Sequence, residues 1–217
     1  MALIDSSELW LFGTNTYVVA DGPGSAAVVI DAPPDPDGIG ALLAKHDLTP
    51  IAALVSHGHV DHVGGIDGIA GPTVTAYLHP DDLTMARHPG DQLRALMGAM
   101  APELVGSLVA TEFVDLEAGS TLELAGQTFD VLFTPGHSPG HCCFYLGEDG
   151  VLFSGDQLFA GSIGRTDLPG GSYSELMASM AREIMPLPAE TRVLPGHGPA
   201  TTLAAERLQN PFLQELL

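Results

Sequence analysis

Residues 57–62 read His57-Gly58-His59-Val60-Asp61-His62, directly after the apolar run Ile51-Ala52-Ala53-Leu54-Val55. Three imidazoles and a carboxylate fall within six residues. Imidazole nitrogen and carboxylate oxygen are the usual ligand atoms for zinc, iron and manganese. His57 and His59 are two apart, so an extended chain points both to one side. Asp61 and His62 follow as the chain turns, where they face a second position beside the first.

Three later segments repeat the design. Val131-Leu132-Phe133-Thr134-Pro135-Gly136 leads to His137, Val151-Leu152-Phe153-Ser154-Gly155 to Asp156, and Arg192-Val193-Leu194-Pro195-Gly196 to His197. Each is a short apolar run that reads as a strand and ends in small or turn residues before a metal-capable side chain. Open α/β sheets place their ligands where strands end and loops begin. One Gly-His pair is an ordinary turn, whereas four strand ends that all deliver ligand atoms predict a metal site.

The set His57-x-His59-x-Asp61-His62, His137, Asp156 and His197 resembles the metallo-β-lactamase superfamily. The resemblance implies an α/β fold, the four-layer αβ/βα sandwich, as a single domain over residues 1–217. It implies that His57, His59 and His137 hold one metal ion and that Asp61, His62 and His197 hold a second, with Asp156 between them. Two divalent ions are expected, zinc first and iron or manganese also compatible. Such ions ionise water near neutrality, and Asp61 is the expected catalytic residue, steering the resulting hydroxide or carrying its proton. Ser154-Gly155-Asp156 lacks the Gly-x-Ser-x-Gly elbow of serine hydrolases. The near-repeat of Thr134-Pro135-Gly136-His137-Ser138-Pro139-Gly140 and Leu194-Pro195-Gly196-His197-Gly198-Pro199 fits the pseudo-twofold of that fold.

Composition narrows the role. The chain has 217 residues, 45% hydrophobic, enough for one sizeable core. Lys45 and six arginines face 27 acidic residues, a net charge of −20. Such a surface repels nucleic acid and anionic membranes. No apolar run approaches the ~20 residues that span a bilayer. Met1 to Glu8 carries no basic region or long apolar stretch, so it does not read as a signal peptide, and a cytoplasmic location is expected. The adjacent Cys142 and Cys143 are expected to be reduced, on opposite faces of one strand.

The periodicity predicts an opening antiparallel pair, 9–20 and 26–31, broken at Asp21-Gly22-Pro23-Gly24. A helix is expected from Asp35-Pro36 to His46, a buried strand over 51–56 and a short helix near 62–69. Residues 73–78 read as a strand, and 80–100 as helical with a break at Pro89-Gly90. Strands follow at 111–115, 120–125, 127–133, 142–146 and 150–154. A helix over 172–184 carries Leu176, Met177, Met180 and Ile184 on one face. A last strand covers 191–194, and 202–217 is mostly helical. His46, His79, His88 and His141 are expected to lie on the surface or behind the ligands.

Residues 158–171, Leu-Phe-Ala-Gly-Ser-Ile-Gly-Arg-Thr-Asp-Leu-Pro-Gly-Gly, look like the corresponding loop of small glyoxalase II-like hydrolases. That resemblance implies hydrolysis of a small-molecule thioester such as S-lactoylglutathione, with Arg165 binding a carboxylate of the thiol carrier. A structural ion pair with Asp167 is the plainer reading of Arg165. The closing Asn210-Pro211-Phe212-Leu213 also looks like the small hydrolases. With 20 residues following His197 in this sequence, the helical domain that larger relatives add there is not expected. Asp167 and Pro199 stand where tyrosines are expected. Another thiol carrier, a smaller thioester, or weakly bound glutathione is therefore open. Persulfide dioxygenases, which hold one iron and share a run like Gly164-Arg165-Thr166-Asp167, and lactone hydrolases are the alternatives. A monomer or homodimer is expected.

Overall fold

The computed structural model describes residues 1–69, 73–98 and 109–216. The first sheet takes its strands in chain order: β1 (Leu3–Leu9), β2 (Thr14–Ala20), β3 (Ala26–Ile30), β4 (Thr49–Leu54), β5 (Thr75–Leu78) and β6 (Phe113–Asp115). β1, β2 and β3 are antiparallel neighbours, and β3 to β6 run parallel. The second sheet begins with β7 (Thr121–Leu124), β8 (Gln127–Phe133), β9 (Cys142–Leu146) and β10 (Val151–Gly155). A two-stranded hairpin, β11 (Leu158–Phe159) and β12 (Ser162–Ile163), lies outside it. β13 (Arg192–Pro195) and β14 (Thr201–Thr202) complete the sheet in the order β14-β13-β10-β9-β8-β7.

Strand alternation builds the layers. Successive side chains on a strand point to opposite faces. Val19, Val28 and Phe153 pack between the two sheets with Tyr17, Phe129 and Phe144. Their neighbours Val18 and Val29 face outward, under α1 (Pro36–Lys45) and its Ile39, Leu42 and Leu43. On the other side Leu152 and Val193 lie under α6 (Tyr173–Ser179) and α7 (Leu203–Gln209), against Leu176, Met180 and Leu203. The result is helix, sheet, sheet, helix, as expected. Cys142 and Cys143 divide the same way, one in each core, and both are reduced. Burial pushes the Cys143 thiol up to about 12, which leaves it inert.

Several boundaries differ from the sequence reading. The opening strand does not start at residue 9. Leu3–Leu9 is a separate strand pairing with Thr14–Ala20, and the chain reverses at Trp10 and Gly13, both with positive φ. The stretch Leu-Ile-Asp-Ser-Ser-Glu-Leu has no clean alternation, because an edge strand is held by backbone pairing. The helix near 62–69 is two short ones, α2 (Val60–Val63) and α3 (Ile66–Ile69). Residues 80–98 hold a short 3₁₀ turn at Pro80–Asp82, then α4 (Leu83–Ala86) and α5 (Pro89–Met97). Residues 99 and 100 of that expectation lie outside the described residues. The helix over 172–184 is α6 (Tyr173–Ser179) followed by a wider turn over Met180–Ile184. The C-terminal stretch holds α7 (Leu203–Gln209). No helix among the described residues is long and apolar enough to cross a membrane.

Candidate metal centre

The expected ligands lie at one edge of both sheets. β4 ends at Leu54, three residues before His57, and His62 sits in α2. β8 ends four residues before His137, β10 leads directly into Asp156, and β13 ends two residues before His197. Backbone bonds pull the two sheets together here. Asn15 N–H donates to the Gly196 carbonyl (2.7 Å) and Cys142 N–H to that of Ser56 (2.8 Å). The Asn15 amide donates to the Pro195 and Gly198 carbonyls at 3.0 and 2.9 Å, and Tyr17 Oη–H to Pro195 at 2.7 Å. These bonds fix the loop that carries His197. Gly196 is required there, because a Cβ would lie 2.3 Å from Asp156 Oδ1 and 2.7 Å from His62 Cε1.

The side chains form two adjoining trios. His57 Nε2, His59 Nδ1 and His137 Nε2 face one another at 2.8–3.2 Å. Asp61, His62 and His197 make the second group. His197 Nε2 is 3.1 Å from Asp61 Oδ2, and His62 Nε2 is 3.4 Å from it. Asp156 stands between, with Oδ1 3.4 Å from His62 Nε2 and Oδ2 3.4 Å from His137 Nε2. All seven belong to clusters whose ligand atoms suit a metal, or border one.

Tautomers test the fit. His62 Nδ1–H donates to Asp31 Oδ2 (2.8 Å), so a neutral His62 aims its Nε2 lone pair at two carboxylates. Only a cation, a proton or a metal, reconciles that arrangement. Burial opposes charge on His62, but Asp61, Asp156 and Asp31 outweigh it and raise its affinity for a proton. The other trio behaves oppositely. Burial, reinforced by neighbouring imidazoles, holds His57 well below the usual range, His59 at about 3 and His137 at about 4. His137 Nδ1–H donates to the Arg165 carbonyl (2.8 Å), so its free lone pair joins two more from neutral rings. Asp156 Oδ1 is buried without a hydrogen-bond partner, a state that costs about 1–3 kcal/mol or more when uncompensated. Converging neutral imidazoles and an orphaned carboxylate oxygen fit a pair of divalent ions.

Behind the ligands lies a layer of which sequence reasoning anticipated only His141. Asp31 accepts from Ser56 N–H (2.7 Å) and Ser56 Oγ–H (2.9 Å) as well as from His62. Asp82, fully buried, accepts from Gly58 N–H (2.9 Å), Ser138 Oγ–H (2.6 Å) and Gly140 N–H (2.7 Å). It therefore joins the loop of His57 and His59 to the loop of His137. Gln92, on α5, accepts from Val60 N–H (2.9 Å) and donates to the Gly58 carbonyl (2.9 Å). Thr14 Oγ1–H donates to Asp61 Oδ2 (3.0 Å). Asp61 lies inside α2 and does not cap it. His141 is a support: its Nε2 accepts from Asp156 N–H (3.0 Å), and its Nδ1–H donates to Thr134 Oγ1 (2.9 Å). His46 pairs with Asp5, His79 stacks on Phe133, and His88 is exposed near Asp91.

A cleft of about 540 Å³ opens over the trios, bordered by Phe12, Phe159, Ile163, Leu168 and Arg165. Arg165 makes a two-point ion pair with Asp167, Nε to Oδ1 at 2.7 Å and a terminal nitrogen to Oδ2 at 2.9 Å. Both side chains are more than half exposed. Arg165 thus borders the cleft and pairs with Asp167 at once.

The family pattern described as "Metallo-beta-lactamase superfamily" matches residues 9–197. This chain belongs to the metallo-beta-lactamase superfamily. Within that superfamily it is 33% identical to hydroxyacylglutathione hydrolase GloC of Haemophilus influenzae, over 93% of each chain. A B3 metallo-beta-lactamase, BLEG-1, superposes with a TM-score of 0.87 at 35% identity, covering 97% of this chain and 99% of that one. TTHA1623, solved in a di-iron-bound form, superposes at 0.83 with 40% identity, covering 96% and 100%. At the level of class the chain is a metallo-hydrolase with a His/Asp site of binuclear type.

Proposed function

We propose that the chain hydrolyses small acyl thioesters. Its ligands would be His57, His59 and His137 for one ion and Asp61, His62 and His197 for the other, with Asp156 shared. Bound ions would supply an ionised water and positive charge for the developing oxyanion. The remaining chemistry belongs to the chain. Asp61, held by Thr14 and His197, orients the attacking water and takes its proton. Arg165 gives up part of its pairing with Asp167 to bind an anionic group on the thiol carrier. The apolar border of Phe12, Phe159, Ile163 and Leu168 excludes bulk water.

The observation that carries this reading is an unbroken double trio beneath a cleft bordered by Arg165. A GloC relative that aligns over nearly its full length supports the choice of thioester. The BLEG-1 likeness makes a β-lactam the second substrate class to examine. The test is turnover by metal-loaded protein of S-lactoylglutathione, simple acyl thioesters, a lactone, a β-lactam and glutathione persulfide, with oxygen uptake followed for the last. Thioester cleavage with no oxygen uptake is expected. Preferred β-lactam or lactone hydrolysis, or oxygen-consuming persulfide turnover, would overturn it. We further propose a cytoplasmic enzyme with small-molecule substrates, its acidic surface turned away from nucleic acid.

A further inference from the structure

A second cavity, of about 560 Å³, adjoins the metal cleft. The two share His59, Gln92, Leu96 and Leu168 on their walls. Its surface is mostly carbon, from Met85, Ala95, Leu96, Pro139, Leu168 and Pro169. Among the described residues, no lysine or arginine lines it. Its acidic residues are Asp81, which faces solvent, and Asp82, whose oxygens are occupied by Gly58, Ser138 and Gly140. Leu96, 46% exposed, forms part of the wall that the two cavities share.

We infer that this cavity holds a neutral aliphatic acyl chain, so that the preferred thioesters carry medium-length alkyl groups. This rests on the thioesterase reading above. The geometry gives the two arms of such a substrate different environments. An acyl carbon at the trios has Arg165 to one side, suited to an anionic thiol carrier. On the other side, past His59, lies a pocket with no cation to meet a charged acyl group. The carbon walls reward each buried methylene by about 4-fold in binding. A lactoyl group would leave most of that volume unused.

Two measurements on zinc-loaded protein test this. The first compares kcat/KM for acetyl, butyryl, hexanoyl and octanoyl thioesters of a single thiol. A rise of up to about 4-fold per methylene is expected. The hexanoyl-to-acetyl ratio should fall at least 10-fold in Ala95→Phe and in Thr84→Trp, two independent ways to narrow the cavity from exposed helix positions. The second follows 1-octanol binding by NMR, with shifts expected at Met85 and Ala95 and the Met85 shift lost in Ala95→Phe. Octanol shifts at Met85 and Ala95 without any thioester turnover would sink the thioesterase reading and uphold the apolar-chain site. Thioester turnover that ignores chain length, or octanol shifts elsewhere, would overturn the acyl-chain site and leave the thioesterase reading standing.

Discussion

The imidazole trio and the mixed trio lie side by side, yet each leans on a different buried aspartate. Asp82 stands behind His57, His59 and His137 without touching any ring; it holds the backbones of their two loops. Asp31 stands behind the mixed trio and bonds directly to the His62 ring. The surroundings differ accordingly. Neutral rings with depressed proton affinity fill one half, and carboxylates that raise His62 and His197 fill the other. His197 is also the most open member, with 27% of its side chain exposed. The imidazole half is held through backbone bonds and, at His57, through Ser56 Oγ (3.0 Å), which itself donates to Asp31; the mixed half is held by a direct charged bond to a ligand ring. The mixed half is therefore expected to release its ion more readily and to carry the proposed proton transfer.

The largest effect should come from the mixed half. Asp61→Asn keeps the shape but removes the charge that faces His62 and His197. A loss of at least about 10²-fold in kcat is expected, with the circular dichroism spectrum unchanged and the ion at the imidazole trio retained. Near-normal kcat at saturating substrate, with metal content checked, would make Asp61 a bystander.

Next in size is Asp31→Asn. An amide cannot accept from both Ser56 N–H and His62 Nδ1–H without setting one donor against another. Metal affinity at the mixed half should weaken by about 10- to 100-fold. The other half, which Asp31 reaches only through Ser56 and the His57 ring, should weaken less, as read by competition with a chelator. Equal weakening of both halves would erase the distinction between them.

Arg165→Ala should raise KM for an anionic thioester about 5- to 10-fold. A charged hydrogen bond is lost, but the site is exposed and already paired. Metal content should not change. An unchanged KM with a marked fall in thermal stability would instead make the Asp167 pair structural.

Asp82→Asn should weaken metal binding less than Asp31→Asn does and have a visible effect on folding. Leaving one of three buried donors unmatched costs about 1–3 kcal/mol, roughly 2–10 °C in Tm for a chain of this size. Affinity at the imidazole trio should fall less than about 10-fold, because no ring is touched directly. A drop as large as that of Asp31→Asn would show that loop position matters as much as ring orientation.

The ligands were readable because each follows an apolar run at a strand end, a pattern local to a few residues. Asp31 follows the same rule, after Val28-Val29-Ile30, and could have been found by extending it. Its left-handed backbone, φ 57°, is a further mark of a constrained position that the sequence does not display. Asp82 had no such signal. His79-Pro80-Asp81-Asp82 reads as a helix start, and its role appears only when Gly58 and Gly140 arrive from distant loops. β1 was missed for a related reason, since edge pairing leaves little trace in side-chain pattern. The sandwich itself was legible through the motif's resemblance, and the strand alternation that separates its three cores agrees with it.

Metal stoichiometry tests the binuclear centre most directly. Protein loaded with excess zinc, or with iron under anaerobic conditions, and then freed of loose metal would be analysed for elemental content. Two ions per chain are expected, falling toward one as a chelator empties the mixed half first. A content that never exceeds one ion per chain under full loading would contradict the binuclear centre.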